Sequence, residues 1–118
     1  MRFLSLVRVK ETGQRPSEKL MQDMGALMQE MTAKGALIDT AGLRASSEGF
    51  RMRNNHGKFS RTDGPFTETK EVVGGYAILE AASMDEINAM TKRFLDVHGD
   101  EWDVECEVRQ IADMSEGC

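Results

Sequence analysis

Apolar residues near the start of the chain first alternate in the manner of a strand and then recur at helical spacing. Residues 2–10 carry apolar side chains on both faces, Phe3, Val7 and Val9 on one and Leu4 and Leu6 on the other. Because both faces are apolar, this stretch is predicted to be a central strand that is covered on both sides.

A helix is predicted next, between a serine cap at Ser17 and a glycine stop at Gly35. Its apolar side chains recur at helical spacing and so form one stripe. The stripe comprises Leu20, Met21, Met24, Leu27, Met28 and Met31. A stripe so rich in methionine suits an adaptable binding face, although a core stripe is the commoner explanation.

The rest of the chain alternates between strand and helix patterns in the same way. The predicted elements are strands at 36–43, 75–81 and 104–111, a hairpin of 50–54 and 58–62 around Gly57, and a helix from the Ser83 cap to the Gly99 stop. Ser83 and Glu86 have capping-box spacing, so each is expected to accept a hydrogen bond from the other's backbone N–H. Residues 75–81 are apolar on both faces, whereas 104–111 have one dry and one wet face, which suits a sheet edge.

This order of elements predicts an α+β fold in a single domain that spans residues 1–118. Two successive split β-α-β units, here with an inserted β-hairpin, give a ferredoxin-like sandwich in which the first and third main strands lie in the middle. The strands that are apolar on both faces occupy those places. Two helices cover one face of such a sheet, so a twofold partner packed sheet to sheet, as in a dimeric α+β barrel, is the simplest cover for the other. We therefore expect a homodimer.

Composition and charge narrow the classes of function. Of the 118 residues, 40% are hydrophobic and 30% are charged, which is typical of a globular domain. The net charge of -5 disfavours coating of nucleic acid or of an anionic membrane. No apolar run has membrane-spanning length, and the chain enters a strand at once, so a cytoplasmic protein without a signal peptide is expected.

The predicted hairpin carries four basic residues, Arg51, Arg53, Lys58 and Arg61. A basic patch binds single-stranded nucleic acid when aromatic side chains are interleaved with it. Strand alternation instead places Phe50 and Phe59 opposite the arginines, where a core position is expected, so no nucleic-acid partner is predicted.

Several common catalytic arrangements cannot be read from the sequence. It has no glycine-rich phosphate loop, and neither His56 in the hairpin turn nor His98 at the end of the second helix has metal-ligand spacing to cysteine or carboxylate. Cys106 alternates with valines and is predicted to be a small buried residue, while Cys118 ends the chain. No cofactor, metal site or disulfide framework is therefore predicted.

The densest polar cluster lies at 62–71, which contains the run Asp-Gly-Pro-Phe at 63–66 and precedes Gly-Gly-Tyr at 74–76. This segment resembles the signature of the DGPF branch of the YCII-related proteins, and the likeness extends from the opening strand through 39–43 to 105–109. The resemblance implies a ferredoxin-like fold that dimerises through its sheets, and no settled activity. The broader group is associated with a His-Asp pair whose histidine lies on the first helix. This chain has no histidine in that predicted helix, which puts the same chemistry in doubt.

A functional interpretation of the polar cluster places its side chains in a cleft beside the sheet. Asp63 would be the catalytic residue, an acid or base whose pKa is raised by burial. Its ligand-binding companions would be Glu68, Lys70, Glu71 and Tyr76. Lys70 would hold an anionic group and Tyr76 would donate a hydrogen bond.

A structural interpretation explains the same residues without chemistry, and it is the commoner outcome for any single residue. Asp63 would accept hydrogen bonds from N–H groups of its turn, Gly64 would adopt a positive φ, and Phe66 would fill the core. The glycine pair at 74–75 indicates a β-bulge or a close approach of backbone, with ligand contact as the rarer reading.

Two functions from different classes follow. The first is a small-molecule-binding domain, or a minor enzyme, with its pocket near residues 63–76 of a dimer. The second is a regulatory or interaction protein, because proteins that resemble this family are often associated with extracytoplasmic-function sigma factors. A deep, partly polar cavity would favour the first function, and an exposed apolar patch away from the dimer seam would favour the second.

Overall fold

The computed structural model describes residues 1–66, 69–113 and 115. Its elements are β1 (Arg2–Val9), α1 (Glu18–Ala33), β2 (Leu37–Gly42), a 3-10 turn (Ser46–Glu48), β3 (Phe50–Asn55), β4 (Lys58–Asp63), β5 (Val72–Glu80), α2 (Met84–Val97) and β6 (Val104–Gln110). The order of the helices and strands agrees with the prediction, and the 3-10 turn was not predicted. The largest difference in bounds is at β5, which begins before the glycine pair and not within it.

Four strands form one antiparallel sheet in the order β2-β5-β1-β6. The strands predicted to be central, β1 and β5, are the two middle ones. β6, which was predicted to have one wet face, lies at an edge. β3 and β4 form a separate two-stranded sheet around a turn in which Gly57 has the predicted positive φ of 92°. The protein is therefore a mixed α+β domain.

The core lies on one face of the four-stranded sheet. Its buried side chains come from β1, β5, both helices and the segment after β5: Phe3, Leu27, Met31, Leu79, Ala81 and Ile87. Phe3 pairs with Leu79 across β1 and β5, so both helices pack on the face that carries these two side chains. Leu4 and Leu6 point to the opposite, helix-free face and are half-buried. Met21 was predicted to belong to the buried stripe of α1, but it is 62% exposed because it lies at the margin of that stripe.

Both helices begin and end at the predicted residues. The Ser17 and Ser83 hydroxyls accept hydrogen bonds from the first turns of α1 and α2, each at 3.1 Å. Gly35 and Gly99 follow the helix ends with φ values of 74° and 67°. Glu86 was expected to accept a hydrogen bond from the backbone N–H of Ser83. Its carboxylate instead accepts one from the N–H of Ala82, at 3.1 Å. In the described part of the chain, no helix has the length and apolar character needed to cross a membrane.

Two aromatic side chains that were predicted to be core are exposed on the hairpin. Phe50 is 53% and Phe59 is 72% exposed. The prediction was wrong because β3 and β4 form their own small sheet, and this leaves one face of it uncovered. Strand pairing also places Arg61 on the same face as these phenylalanines and not opposite them. Its guanidinium stacks over the ring of Phe50 at 4.0 Å from the ring centre.

The expected positive φ at Gly64 is wrong, because its φ is not in the left-handed region. A Cβ on Gly64 would lie 1.7 Å from the carbonyl oxygen of Ser46 in the 3-10 turn. The N–H of Gly64 donates to the carbonyl of Gly49 at 3.0 Å. The carboxylate of Glu11 accepts hydrogen bonds from both the backbone N–H of Ser46, at 2.7 Å, and its hydroxyl. The base of the hairpin is thus packed directly on the 3-10 turn.

Candidate functional site

An apolar cavity of about 510 Å³ lies between the helices and the four-stranded sheet. Strands β1, β2 and β5 form its floor, and α1 and α2 form its walls. The floor consists of Ser5, Val7, Leu79 and residues 40–42 and 74–77, and the walls consist of Met24, Met28, Met31, Met90, Thr91 and Phe94.

The glycine pair of β5 shapes the floor of this cavity. The register of β1 and β5 shifts just after Val7, which leaves Gly74 as the extra residue of a β-bulge. A Cβ on Gly74 would lie 2.8 Å from Cγ2 of Val9, and a Cβ on Gly75 would lie 2.9 Å from the carbonyl oxygen of Ala41. Both predicted uses of the pair, the bulge and the close backbone approach, are therefore confirmed.

The methionine stripe of α1 serves two purposes. Met31 is 5% exposed and belongs to the core, whereas Met24 and Met28 are half-buried and face the cavity. From α2, Met90 and Phe94 complete the wall. Methionine side chains are flexible and polarisable, so they adapt their shape to an apolar neighbour. The wall is thus both an extension of the core and a surface suited to a ligand.

The hydroxyl groups that line the cavity already have partners. Thr40 Oγ1 donates to the carbonyl of Tyr76 at 2.8 Å, and Thr91 Oγ1 donates to the carbonyl of Ile87 at 2.8 Å. Ser5 is 5% exposed and hydrogen-bonds to the thiol of Cys106 on the neighbouring strand. Burial raises the pKa of the Cys106 thiol, with the Ser5 hydrogen bond acting against that shift, so the group is a neutral thiol and a weak nucleophile.

Three of the polar residues predicted from the sequence do not line this cavity: Asp63, Lys70 and Glu71. Asp63 lies at the exposed end of β4, where its carboxylate accepts from Nε of Arg61 at 3.0 Å. Lys70 lines a second pocket, of about 490 Å³, beside Pro65 and Phe66. Glu71 is half-buried just before β5. The remaining predicted residue of this segment, Glu68, lies outside the described residues.

Phe66 was predicted to fill the core, and it does not. Its ring is half-buried, and the guanidinium of Arg51 stacks over it at 3.9 Å from the ring centre. Phe66 also lines the pocket that contains Lys70, and it is not among the residues that form the core. The aromatic side chain therefore packs against the hairpin.

Tyr76 contributes backbone to the cavity while its side chain points to the helix-free face. Its hydroxyl donates to Oδ2 of Asp39 on β2 at 2.9 Å. This hydrogen bond raises the pKa of the Tyr76 hydroxyl, because the bond stabilises the neutral phenol. Sequence reasoning did not select Asp39. The available signal was a carboxylate inside a predicted strand, where a side chain of a neighbouring strand can donate a hydrogen bond to it.

Comparison with known proteins places the chain in a family. The profile of the YCII-related domain matches residues 1–99. The chain belongs to the YCII-related domain family. An uncharacterized protein of Rhizobium meliloti (strain 1021) is 33% identical to it over 69 residues, which is 58% of this chain and 56% of that protein. The YCII relationship predicted from the polar cluster is thus confirmed, and these comparisons name no reaction.

In this YCII-related domain, the first helix presents methionine to the cavity. No histidine lies in α1, so the histidine that the resemblance associates with that helix has no counterpart here. Among the residues that the structure describes, no three His, Cys, Asp or Glu side chains are close enough together to hold a metal ion. What the arrangement offers chemically is an apolar chamber with a few hydroxyl groups and no charged group from the described residues.

Proposed function

We propose that this YCII-related domain binds a small molecule in the cavity between its helices and its sheet. The observation that carries the proposal is the cavity itself, whose volume of about 510 Å³ falls within the range of about 300–1,000 Å³ common for ligand sites. Residues 74–76 supply part of its lining. The site therefore touches one end of the segment that sequence reasoning singled out, 63–76.

An empty cavity of this size that was sealed from solvent would destabilise the fold too strongly to be tolerated. At about 24 cal/mol per Å³ of void, an empty sealed space of about 510 Å³ would destabilise the fold by about 12 kcal/mol. The whole free energy of unfolding of a small domain is about 5–15 kcal/mol. The space is instead partly open at β2, where Thr40, Ala41 and Gly42 are exposed, so solvent or a ligand can enter it.

Native mass spectrometry of untagged protein tests the proposal through a cavity-filling variant. Ala77 lies on the cavity floor beside Ser5 and Thr40, so Ala77→Leu should fill part of the space and remove any retained small molecule. Ala89→Leu makes the same change at an exposed position of α2 and should retain the ligand. A wild-type spectrum without an adduct, or an adduct that persists in Ala77→Leu, would contradict the proposal.

We also propose that the domain is a ferredoxin-like member of the DGPF branch that works as a cytoplasmic homodimer. The strand order and the packing of both helices on one sheet face support the ferredoxin-like topology. The run Asp-Gly-Pro-Phe at 63–66 supports the branch. Leu4, Leu6 and Ile78 on the helix-free face are half-buried, and a second copy packed sheet to sheet would cover them.

A second candidate function is an interaction with another protein through the hairpin. The observation that favours it is the exposed apolar face formed by Phe50, Met52 and Phe59, which are 53%, 59% and 72% exposed. The resemblance suggests an extracytoplasmic-function sigma factor as the partner. A purified sigma factor of this type should bind the wild type and Lys58→Ser, a control on the opposite face of the hairpin, but not Phe59→Ser. If the wild type and both variants bind the sigma factor equally, or if none of them binds it, this candidate function is contradicted.

A further inference from the structure

None of the described residues that line the cavity could neutralise a charged ligand. The cavity lining, as far as the chain is described, includes no Asp, Glu, Lys, Arg or His side chain. Two ion pairs involve the elements that border the cavity. Arg8 and Glu107 form an ion pair at 3.0 Å, and Glu30 pairs with Arg93 between the helices. Neither pair lines the cavity.

The hydroxyl groups offer no free proton to an anion either. The protons of Thr40 and Thr91 are donated to backbone carbonyls, and Ser5 is hydrogen-bonded to Cys106. An anion in the cavity would therefore lose its hydration without gaining strong donors, and a cation would gain no carboxylate. Transfer of an unpaired charge into such a site is strongly unfavourable.

Resting on the proposed function, we infer that the ligand of this cavity is an uncharged, largely apolar molecule with a ring system, and that ligands of either charge are excluded. The ring preference comes from the wall. Methionine sulfur makes favourable contacts with aromatic rings, and Met24, Met28, Met90 and Phe94 supply such a surface. The exclusion comes from desolvation and not from the overall charge of the protein.

Three probes with the same ring separate these two causes of exclusion. They are 1-naphthylmethanol, which is neutral, 1-naphthoate, which is an anion, and 1-naphthylmethylammonium, which is a cation. The protein has a net charge of -5, so attraction to the overall charge alone would favour the cation and disfavour the anion. Desolvation disfavours both ions. Isothermal titration calorimetry at fixed ionic strength should show the alcohol binding at least about tenfold more tightly than either ion.

A pair of variants on α1 provides the matched test. Met28→Lys places a cation in the cavity wall and should bring the affinity for 1-naphthoate closer to that for the alcohol. Met21→Lys changes the net charge by the same amount, but the Met21 side chain is 62% exposed and does not line the cavity. This variant should therefore leave the ratio of the two affinities unchanged. If Met28→Lys does not fold, the probe series on the wild type decides the question alone.

The possible results of the probe series separate failure of the inferred ligand class from failure of the proposed function. An ion that binds as tightly as the alcohol, with binding lost in Ala77→Leu, would overturn the ligand class and leave the proposed function intact. If no probe binds and native mass spectra still show an adduct, the ligand class is again overturned. If no probe binds and no adduct is present, the proposed function fails as well. Preference for the alcohol that disappears in Ala77→Leu and persists in Ala89→Leu supports the inference.

Discussion

Replacement of Gly64 by alanine should destabilise the fold through a clash between two backbone segments. The new Cβ would lie 1.7 Å from the carbonyl oxygen and 2.6 Å from the carbonyl carbon of Ser46. Both are backbone atoms, so no side-chain rotation can relieve the contact. The end of β4 must instead move away from the 3-10 turn, and this strains the 3.0 Å hydrogen bond from Gly64 to Gly49.

The magnitude of the loss in stability follows from two destabilising effects and one that opposes them. Overpacking typically destabilises by about 1–3 kcal/mol, and the loss of a hydrogen bond adds about 1 kcal/mol. The lower entropy of an unfolded chain with alanine in place of glycine offsets about 0.4–1 kcal/mol. A net loss of about 2 kcal/mol is expected. With an unfolding entropy of about 2.1 cal/mol/K per residue over 118 residues, the melting temperature should fall by about 8 °C.

Gly49→Ala is the matched control for this measurement. Its Cβ would lie 3.7 Å from the same Ser46 oxygen, an ordinary contact distance, and its φ of -119° is accessible to alanine. Thermal unfolding followed by circular dichroism should therefore show little change, or a small gain, for Gly49→Ala. If the two variants melt within about 2 °C of each other, the close approach at Gly64 is not what makes the glycine necessary.

Three further predictions concern the dimer, the predicted acid and the base of the hairpin. Leu4→Lys on the helix-free face should give folded monomer, whereas Phe3→Lys should prevent folding because Phe3 is 0% exposed; a wild type that sediments as monomer at tens of micromolar would contradict the dimer. Asp63→Asn should change stability by less than about 0.5 kcal/mol and retain any copurified ligand, because the carboxylate is 74% exposed, and loss of ligand from a stable variant would restore Asp63 as a functional residue. Hydrogen bonds from Ser46 lower the pKa of Glu11, so their contribution is present above its usual value of 4.5 and is lost as the pH falls through the lower folded-state pKa. The advantage of the wild type over Glu11→Gln in melting temperature should accordingly shrink on acidification, and an advantage that is independent of pH would contradict the assignment.

Local patterns were sufficient to predict the elements and the two middle strands. The caps at Ser17 and Ser83 and the stop at Gly35 depend on interactions within a few residues, so the sequence specifies them directly. Apolar residues on both faces of β1 and β5 predicted that these strands lie in the middle of the sheet, and the strand order confirms it.

The periodicity of apolar residues does not show which element covers a given face of a strand or helix. The wrong predictions have this cause. Alternation correctly placed Phe50 and Phe59 on one face of the hairpin, but the absence of a covering layer is a tertiary property. The close contact that disfavours a side chain at Gly64 is also non-local, because the carbonyl group that Gly64 approaches belongs to a turn distant in sequence. A glycine in a turn motif suggested a positive φ, which is the commoner local cause.

The candidate site was predictable only in part, for the same reason. The glycine pair at 74–75 and the methionines of α1 each gave a signal, but a cavity is the space left between elements and no single element encodes it. Tyr76 was predicted to donate a hydrogen bond to a ligand, whereas in the structure its hydroxyl donates to Asp39 on a neighbouring strand. The partner was missed because the pairing of β2 with β5 brings the two residues together across the sheet.

Stability and binding should change in opposite directions when the cavity is filled, and this distinguishes a ligand site from an imperfect core. Ala77→Leu adds apolar carbon to a space that is not closely packed, at about 0.8 kcal/mol for each newly buried methylene group, so the variant should gain up to about 2 kcal/mol and melt several degrees higher. In a tightly packed core the same change would destabilise by about 1–3 kcal/mol. A variant that is more stable and has lost its ligand is the expected signature of space kept open for binding. A destabilised variant would indicate that the side chains of α1 and α2 already close the space in solution, and the cavity would then have no ligand to hold.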